Sequence, residues 1–257
     1  MTALVTGAAK RLGRAMALDL AAQGHDIAIH YNGSADAAEV TVADARALGV
    51  RAVAVQADLL DEDAVQGLMP RVIAALGPVE VLVNSASVFD YDNLESATRE
   101  TWDRHMMSNL RAPFVLTQAL ASQLPDPDLD ANGEPVARGL VVNMVDQRVR
   151  KLTPEFMTYT IAKMGLWAFT RTAAQSLAPR CRVNAIGPGP TMQGGRQTAE
   201  HFQKQREATI LGRGADAEAI CEALRYFLAA KSVTGQLICV DGGQHLGWQT
   251  PDVLGVE

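Results

Sequence analysis

The sequence has few cysteines, few aromatic residues and no long apolar or basic run. Its three cysteines, Cys181, Cys221 and Cys239, are scattered and odd in number. That pattern argues against a disulfide framework or a metal site and fits a reducing cytoplasm. No apolar run reaches the roughly 18 residues that a membrane span needs. No basic cluster accompanies the net charge of −6, so we expect neither a membrane nor a nucleic acid as a partner.

The chain of 257 residues is 48% hydrophobic, which is enough for a substantial core. Short apolar segments typical of strands alternate along it with segments typical of helices. This rhythm predicts an α/β fold with a three-layer, doubly wound parallel sheet, and we expect a single domain over residues 1–257. Ligands of such sheets bind at the carboxyl ends of the strands. The predicted strands cover residues 2–6, 26–31, 51–56, 79–83, 139–144, 182–186 and 236–240.

A glycine-containing turn, GAAKRLG, follows the first predicted strand and precedes a predicted helix. Its glycines, Gly7 and Gly13, would let the backbone approach a pyrophosphate, which the N-terminus of the helix attracts. A glycine pair alone is a weak signal, but its place between a strand and a helix strengthens it. The turn therefore predicts a dinucleotide site.

The second predicted strand lacks the acidic residue that binds the ribose 2′-hydroxyl in NAD-selective enzymes. It ends in His30, Tyr31 and Asn32, and Lys10 and Arg11 lie in the neighbouring loop. Two cations suit a 2′-phosphate, which would be unpaired beside an aspartate. We therefore predict NADPH as the cofactor; the alternative is that the two cations bind only the pyrophosphate.

Tyr159 and Lys163 lie four positions apart in a long helix predicted over residues 153–177. On a helix this spacing places both side chains on one face. An ammonium about 4 Å from a phenol favours the phenolate and lowers the phenol pKa of ~10 by up to roughly three units. The pair is predicted to serve in acid–base catalysis. The alternative is a solvated surface pair, because YxxxK is common by chance.

Three further segments carry structural expectations. Residues 101–124 are predicted to form one long helix, bent near Pro113. Residues 125–135 are acidic and rich in proline, and we expect an exposed loop without chemistry. Residues 193–214 are polar and are predicted to form a lid over a substrate.

Motifs along nearly the whole chain resemble those of the short-chain dehydrogenase/reductase family. They are TGAAKRLG, ADL, NSAS, SNLRAP, YTIAK, RVNAIGPGP and VTGQLICVDGG. The resemblance implies a Rossmann-like fold with seven parallel strands, hydride transfer with a nicotinamide cofactor, and a homodimer or homotetramer. It also implies that Tyr159 is the proton donor, that Lys163 binds the nicotinamide ribose and lowers the tyrosine pKa, and that Asn109 holds a water in a proton relay. The residues expected to bind the cofactor are Gly7, Lys10, Arg11, Leu12, Gly13, Tyr31, Asn32, Ser34, Asp58, Leu59, Asn84, Ser85, Ala86, Ser87, Tyr159, Lys163, Pro188 and Gly189.

Asp146 departs from the common family pattern, which has a serine about thirteen residues before the tyrosine. A serine hydroxyl can donate a hydrogen bond to a carbonyl oxygen as it gains charge, whereas an ionised aspartate would repel that oxygen. The site is therefore poorly suited to ordinary ketones and better suited to a substrate with a nitrogen to protonate. A reduced pterin is such a substrate. The alternative is that Asp146 is a structural carboxylate bonded to a backbone N–H.

Pteridine reductases and bacterial dihydromonapterin reductases carry this aspartate, and the chain most resembles that subgroup. Arg11 matches the subgroup's arginine that contacts cofactor phosphate and pterin, and Phe89 in NSASVF matches an aromatic that stacks on the pterin ring. Gly33, however, stands where pteridine reductases often have an arginine. Phe89 could equally be a core aromatic.

The resemblance implies an NADPH-dependent reductase of reduced pterins such as dihydromonapterin, dihydrobiopterin or dihydrofolate. Hydride would go to a ring C=N carbon, and Asp146, recharged through Tyr159 or water, would supply the proton. The alternatives are a short-chain oxidoreductase acting on a carbonyl or imine of another small metabolite, and a non-catalytic NADP-binding protein. The residues expected to bind the substrate are Arg11, Ser87, Phe89, Asp146 and Tyr159.

Overall fold

The central feature of the computed structural model, which describes residues 1–194 and 197–250, is a sheet of seven parallel strands. In chain order the strands are β1 (Thr2–Val5), β2 (Asp26–Tyr31), β3 (Ala52–Gln56), β4 (Val79–Asn84), β5 (Asp128–Leu129), β6 (Pro135–Val136), β7 (Gly139–Met144), β8 (Cys181–Pro188) and β9 (Leu237–Val240). Their order across the sheet is β3-β2-β1-β4-β7-β8-β9, while β5 and β6 form a separate antiparallel pair. The doubly wound fold predicted from the sequence is confirmed.

The helices cover both faces of this sheet. They are α1 (Arg11–Ala22), α2 (Ala35–Ala47), α3 (Glu62–Leu76), α4 (Arg99–Met106), α5 (Ala112–Gln123), α6 (Met157–Leu177), α7 (Ala199–Glu207) and α8 (Ala217–Ala229). Successive residues of a strand point to opposite faces. Thus Ala3 and Val5 pack with α1 and α8, whereas Leu4 packs with α3 and α5. The winding direction changes between β1 and β4, which is where such sheets open a ligand crevice.

The helix predicted over residues 101–124 is interrupted in the middle. It consists of α4, a π-helical turn at Met107–Arg111, and α5. Pro113 has no N–H to donate to the carbonyl of Asn109, and a π-helical turn accommodates the missing bond. The expected bend is therefore a change of helix type that lies just before Pro113.

The helix predicted over residues 153–177 also starts later than expected. The sequence places its start at residue 153, but α6 begins at Met157, after Phe156 in the left-handed conformation with φ of 57°. The loop expected at residues 125–135 contains the short hairpin of β5 and β6, and residues 193–214 contain α7. No helix within the described ranges is both long enough and apolar enough to cross a membrane.

Candidate active site

A cleft of about 1310 Å³ lies at the carboxyl ends of the parallel strands. The loops that follow β1, β3, β4, β7 and β8 all contribute to its walls, as expected for a doubly wound sheet. Most of the predicted cofactor and substrate residues meet there. They are Gly7, Lys10, Arg11, Leu12, Gly13, Asn32, Asp58, Leu59, Ser85, Ala86, Ser87, Phe89, Asp146, Tyr159, Lys163, Pro188 and Gly189.

The turn after β1 is shaped for close approach of a ligand to the backbone. Gly7 has φ of +65°, and a Cβ there would lie 2.9 Å from the Cα of Ala86 in the loop after β4. His30, to which sequence reasoning gave no role, secures the turn: its Nδ1 accepts from the N–H of Gly7 at 3.0 Å, and its Nε2 donates to the carbonyl of Ala57 at 3.0 Å. Burial lowers the pKa of His30 to about 4, so the imidazole is neutral. The sequence feature that could have indicated this role is a histidine at the end of an apolar strand that lies beside the glycine turn.

A smaller hollow of about 340 Å³ lies at the N-terminus of α2 and is lined by Lys10 and Ser34. Ser34 precedes the helix, and its side chain makes no capping hydrogen bond there. The hollow thus combines an ammonium, a hydroxyl and a helix N-terminus, which are groups that bind phosphate. Asp36 also lines it. Lys10, Ser34 and the helix N-terminus fit the 2′-phosphate of NADP, whereas the carboxylate of Asp36 opposes it.

Arg11 crosses the cleft rather than lying along the glycine turn. It has φ of 54°, and its guanidinium donates to the carbonyls of Met192 and Gln193 at 3.0 and 2.8 Å. The turn after β1 is thereby tied to the segment that precedes α7. The guanidinium has five N–H donors, so those not used on these carbonyls can serve a phosphate or a pterin.

Asp146, Tyr159 and Lys163 form one buried group. The Tyr159 hydroxyl donates to Oδ2 of Asp146 at 3.0 Å, and Oδ1 of Asp146 accepts from the N–H of Arg148 at 2.8 Å. The Lys163 ammonium donates to the carbonyl of Met144 at 2.7 Å. Helix α6 supplies Tyr159 and Lys163, and the end of β7 supplies Asp146. Asp146 therefore shows both features predicted as alternatives: its carboxylate accepts a hydrogen bond from a backbone N–H, as a structural carboxylate would, and it also contacts Tyr159 in the cleft.

Burial dominates the proton affinities of this group. It raises the pKa of Asp146, against the hydrogen bond from the Arg148 N–H, and lowers the pKa of Lys163 to about 8. Burial and the negative charge of Asp146 raise the pKa of Tyr159 well above its ordinary value. The prediction that Lys163 lowers the tyrosine pKa is therefore wrong for this site: its Nζ lies 5.6 Å from the ring centroid and bonds Met144. The carboxyl of Asp146 is the more readily ionised partner.

The comparison with protein families agrees with this arrangement. A short-chain dehydrogenase/reductase model, described as enoyl-(acyl carrier protein) reductase, matches residues 7–245. The chain belongs to the short-chain dehydrogenase/reductase family. It is accordingly an oxidoreductase.

Two solved structures of this family are similar over nearly the whole length. They are the FolM alternative dihydrofolate reductases 1 of Brucella suis and Brucella canis, each in complex with NADP and each 44% identical with a TM-score of 0.91. Each covers 98% of this chain, which in turn covers 98% and 96% of them. Among curated proteins, the 3-oxoacyl-[acyl-carrier-protein] reductase FabG of Staphylococcus epidermidis is 31% identical over 250 residues, 95% of this chain and 99% of that protein.

Four predicted site residues of this short-chain dehydrogenase/reductase do not line the cleft: Tyr31, Ser34, Asn84 and Asn109. Ser34 lines the smaller hollow at the N-terminus of α2 instead. Asn84 is buried and donates to the side-chain oxygen of Asn143 at 2.8 Å. Asn109 uses both ends of its amide on the backbone of Val88, at 2.9 Å to the N–H and 2.8 Å to the carbonyl. Its side chain therefore holds the loop that carries Phe89, and a part in a water relay stays a prediction.

The aromatic part of the cleft contains a residue that sequence reasoning missed. Phe89 stacks on Phe156 with centroids 4.4 Å apart and an interplanar angle of 11°, and it meets Tyr159 edge-on at 4.6 Å. Tyr91 lies edge-on to Phe156 at 5.2 Å, and the guanidinium of Arg148 lies 5.0 Å from the Phe156 ring centroid. Phe156 reaches this place through its left-handed backbone conformation, which no pattern in the sequence indicates. Phe89 is thus a cleft residue, 41% exposed, and not a core aromatic.

Proposed function

We propose that this short-chain dehydrogenase/reductase is an NADPH-dependent reductase of reduced pterins, of the dihydromonapterin, dihydrobiopterin or dihydrofolate type. The observation that supports it most is the carboxyl of Asp146, bonded to the Tyr159 hydroxyl inside the cleft. The similarity to proteins named alternative dihydrofolate reductases supports the same substrate class. A homodimer or homotetramer belongs to the proposal, and a mass measured by light scattering that equals one chain would contradict it.

The cofactor is NADP, with which the similar Brucella structures were crystallised. Gly7 and the N-terminus of α1 would hold its pyrophosphate, Lys10 and Ser34 its 2′-phosphate, and Lys163 its nicotinamide ribose. When bound in its reduced form, the cofactor supplies the hydride.

Asp146 and Tyr159 would provide the proton that a ring nitrogen gains during reduction. A carboxyl with a raised pKa can carry a proton closer to neutral pH than an ordinary aspartate. Asp146 would afterwards regain a proton from water, either directly or through the Tyr159 hydroxyl 3.0 Å away, which would take up a proton from water as it passes its own to the carboxylate. In its ionised form the same carboxylate would accept hydrogen bonds from the amino and ring N–H groups of a pterin.

Phe89, Ser87 and Arg11 would complete the substrate site. One face of the Phe89 ring meets Phe156, so a pterin would stack on the other face or take the place of Phe156. Such stacking contributes about 0.5–1.5 kcal/mol beyond burial of area. Residues 193–214 would cover the substrate, since Gln197, His201, Phe202 and Gln205 line the cleft.

Turnover of a dihydropterin with NADPH by Asp146→Ser tests the proposal. We expect kcat to fall about 100-fold, which is the scale of a lost general acid. Asp126→Ser makes the same chemical change at an exposed position of the loop before β5 and serves as the control. An unchanged rate for Asp146→Ser would remove this residue from the chemistry.

The second candidate is reduction of a carbonyl, and the similarity to FabG favours it. In its ionised form the Asp146 carboxylate argues against it, because a ketone gains negative charge on oxygen during reduction. A substrate panel of dihydropterins, 3-oxoacyl thioesters and simple ketones, assayed with NADPH and with NADH, separates the two. Fast reduction of a 3-oxoacyl thioester with no pterin turnover would favour the second candidate.

A further inference from the structure

The start of helix α6 is capped by a residue distant in sequence. The first N–H groups of a helix lack partners within it. Asp92, in the loop after β4, supplies acceptors: its carbonyl accepts from the N–H groups of Phe156 and Met157 at 2.7 and 3.3 Å. Its Oδ1 accepts from the N–H of Thr158 at 3.1 Å. The late start of α6 therefore follows from a contact between two segments, not from a capping residue of its own.

Thr158 and His105 extend this contact into a buried network. The Thr158 hydroxyl donates to Oδ2 of Asp92, and Nδ1 of His105 lies 2.7 Å from the Thr158 hydroxyl oxygen. Nε2 of His105 accepts from the N–H of Asp90 at 3.0 Å, so the ring proton lies on Nδ1 and is donated to Thr158. The hydrogen bonds thus run in one direction, from His105 through Thr158 to Asp92.

The charges in this network agree with that assignment. Asp92 and His105 are fully buried, and Thr158 is 2% exposed. Burial by itself raises the pKa of Asp92, but hydrogen bonds from Thr158 outweigh it and hold that pKa below its ordinary value. Burial lowers the pKa of His105. The network therefore holds an ionised carboxylate and a neutral imidazole.

All three residues of the network lie next to the candidate active site. Thr158 directly precedes Tyr159 in α6, and the ring centroids of His105 and Tyr159 are 5.9 Å apart. Asp92 lies in the same loop as Phe89, and the ring centroids of Phe89 and Tyr159 are 4.6 Å apart. We propose that Asp92 is a positioning residue which, through Thr158 and His105, fixes Tyr159 and the Phe89 loop relative to each other. The inference rests on Tyr159 taking part in the chemistry, as proposed above, and not on the substrate being a pterin.

The test compares Thr158→Val, which removes the hydroxyl at nearly constant shape, with Thr158→Ser, which keeps it. Thr158→Val and Asp92→Asn should lower kcat about 100-fold, the scale of a displacement of about 1 Å at a catalytic group. KM and the NADPH dissociation constant should stay within about twofold, because neither side chain is expected to contact a ligand. Thr158→Ser should restore most of kcat. Asp103→Asn, on the exposed side of α4, is the matched control and should leave kcat unchanged.

Hydrogen–deuterium exchange of the cofactor-free protein gives a readout that does not depend on turnover. Amides of residues 156–158 should exchange about fivefold faster in Thr158→Val, the scale of one lost hydrogen bond, here the one that the Thr158 hydroxyl donates to the Asp92 cap, and at the wild-type rate in Asp103→Asn. Wild-type exchange in Thr158→Val, or faster exchange with wild-type kcat, would overturn the inference. If the wild-type protein reduces no pterin, the proposed substrate is refuted. The role of Asp92 would still be decided by the exchange rates and by kcat of the same variants on a carbonyl substrate that the wild-type protein reduces.

Discussion

Lys163 carries a charge in a place from which water is excluded. It is 2% exposed, and its ammonium is held by a backbone carbonyl and by the charge of Asp146. The spacing of Tyr159 and Lys163 predicted correctly that both lie together in the cleft. It did not predict the direction of the tyrosine pKa, because that depends on the buried carboxylate of Asp146, which the fold places against the phenol.

The lowered pKa of Lys163 makes stability depend on pH. Between about 8, its value in the fold, and its ordinary value of 10.5, the unfolded chain binds the proton and the folded chain does not. The free energy of unfolding should therefore rise with pH across this window, by up to about 3 kcal/mol. Urea denaturation at several pH values measures the free energy of unfolding of the wild type and of Lys163→Met. The difference between the two isolates Lys163, because all other titratable groups are present in both proteins. Identical pH dependence of the two proteins would show that Lys163 has an ordinary pKa.

At the scale of elements, the strands and most helix ends agree with the prediction to within about two residues. Short apolar runs specify such buried parallel strands locally, and apolar residues at helical spacing specify the helices. The start of α6 depends on a distant contact, because Asp92 holds it. The π-helical turn accommodates Pro113 and brings Asn109 to the loop at Val88. The pairing of β5 with β6 likewise escaped prediction, because each strand has only two residues.

The turn after β1 offers a test at the same scale. Gly7→Ala adds a Cβ at positive φ and brings it 2.9 Å from the backbone of Ala86, whereas Gly24→Ala adds one at φ of +86° with nothing within 4 Å. Both substitutions place an alanine in the left-handed backbone region, which should lower the free energy of unfolding by about 1–2 kcal/mol. Only Gly7→Ala should also separate the turn from the loop after β4 and weaken NADPH binding, by about tenfold or more. Equal dissociation constants for the two variants, measured by NADPH fluorescence, would mean that the close approach does not shape the site.

At the scale of the whole molecule, the sheet brings together residues that lie far apart in the sequence. Motifs after β1, β3, β4, β7 and β8 were expected to meet because carboxyl ends of parallel strands share one edge, and they do line one cleft. The hollow at the N-terminus of α2 lies at the same edge. Phe156 and the network of Asp92, Thr158 and His105 could not be predicted, since their places follow from packing of the loop after β4 against α4 and the start of α6, for which the sequence has no recognisable pattern.

A crystal structure of the protein with NADP and a reduced pterin would show whether Asp146 faces the substrate. We expect the pterin ring stacked against Phe89, with its amino and ring nitrogen atoms within hydrogen-bond distance of the Asp146 carboxyl. A pterin bound away from Asp146, or a carboxyl turned out of the cleft in the complex, would contradict this expectation.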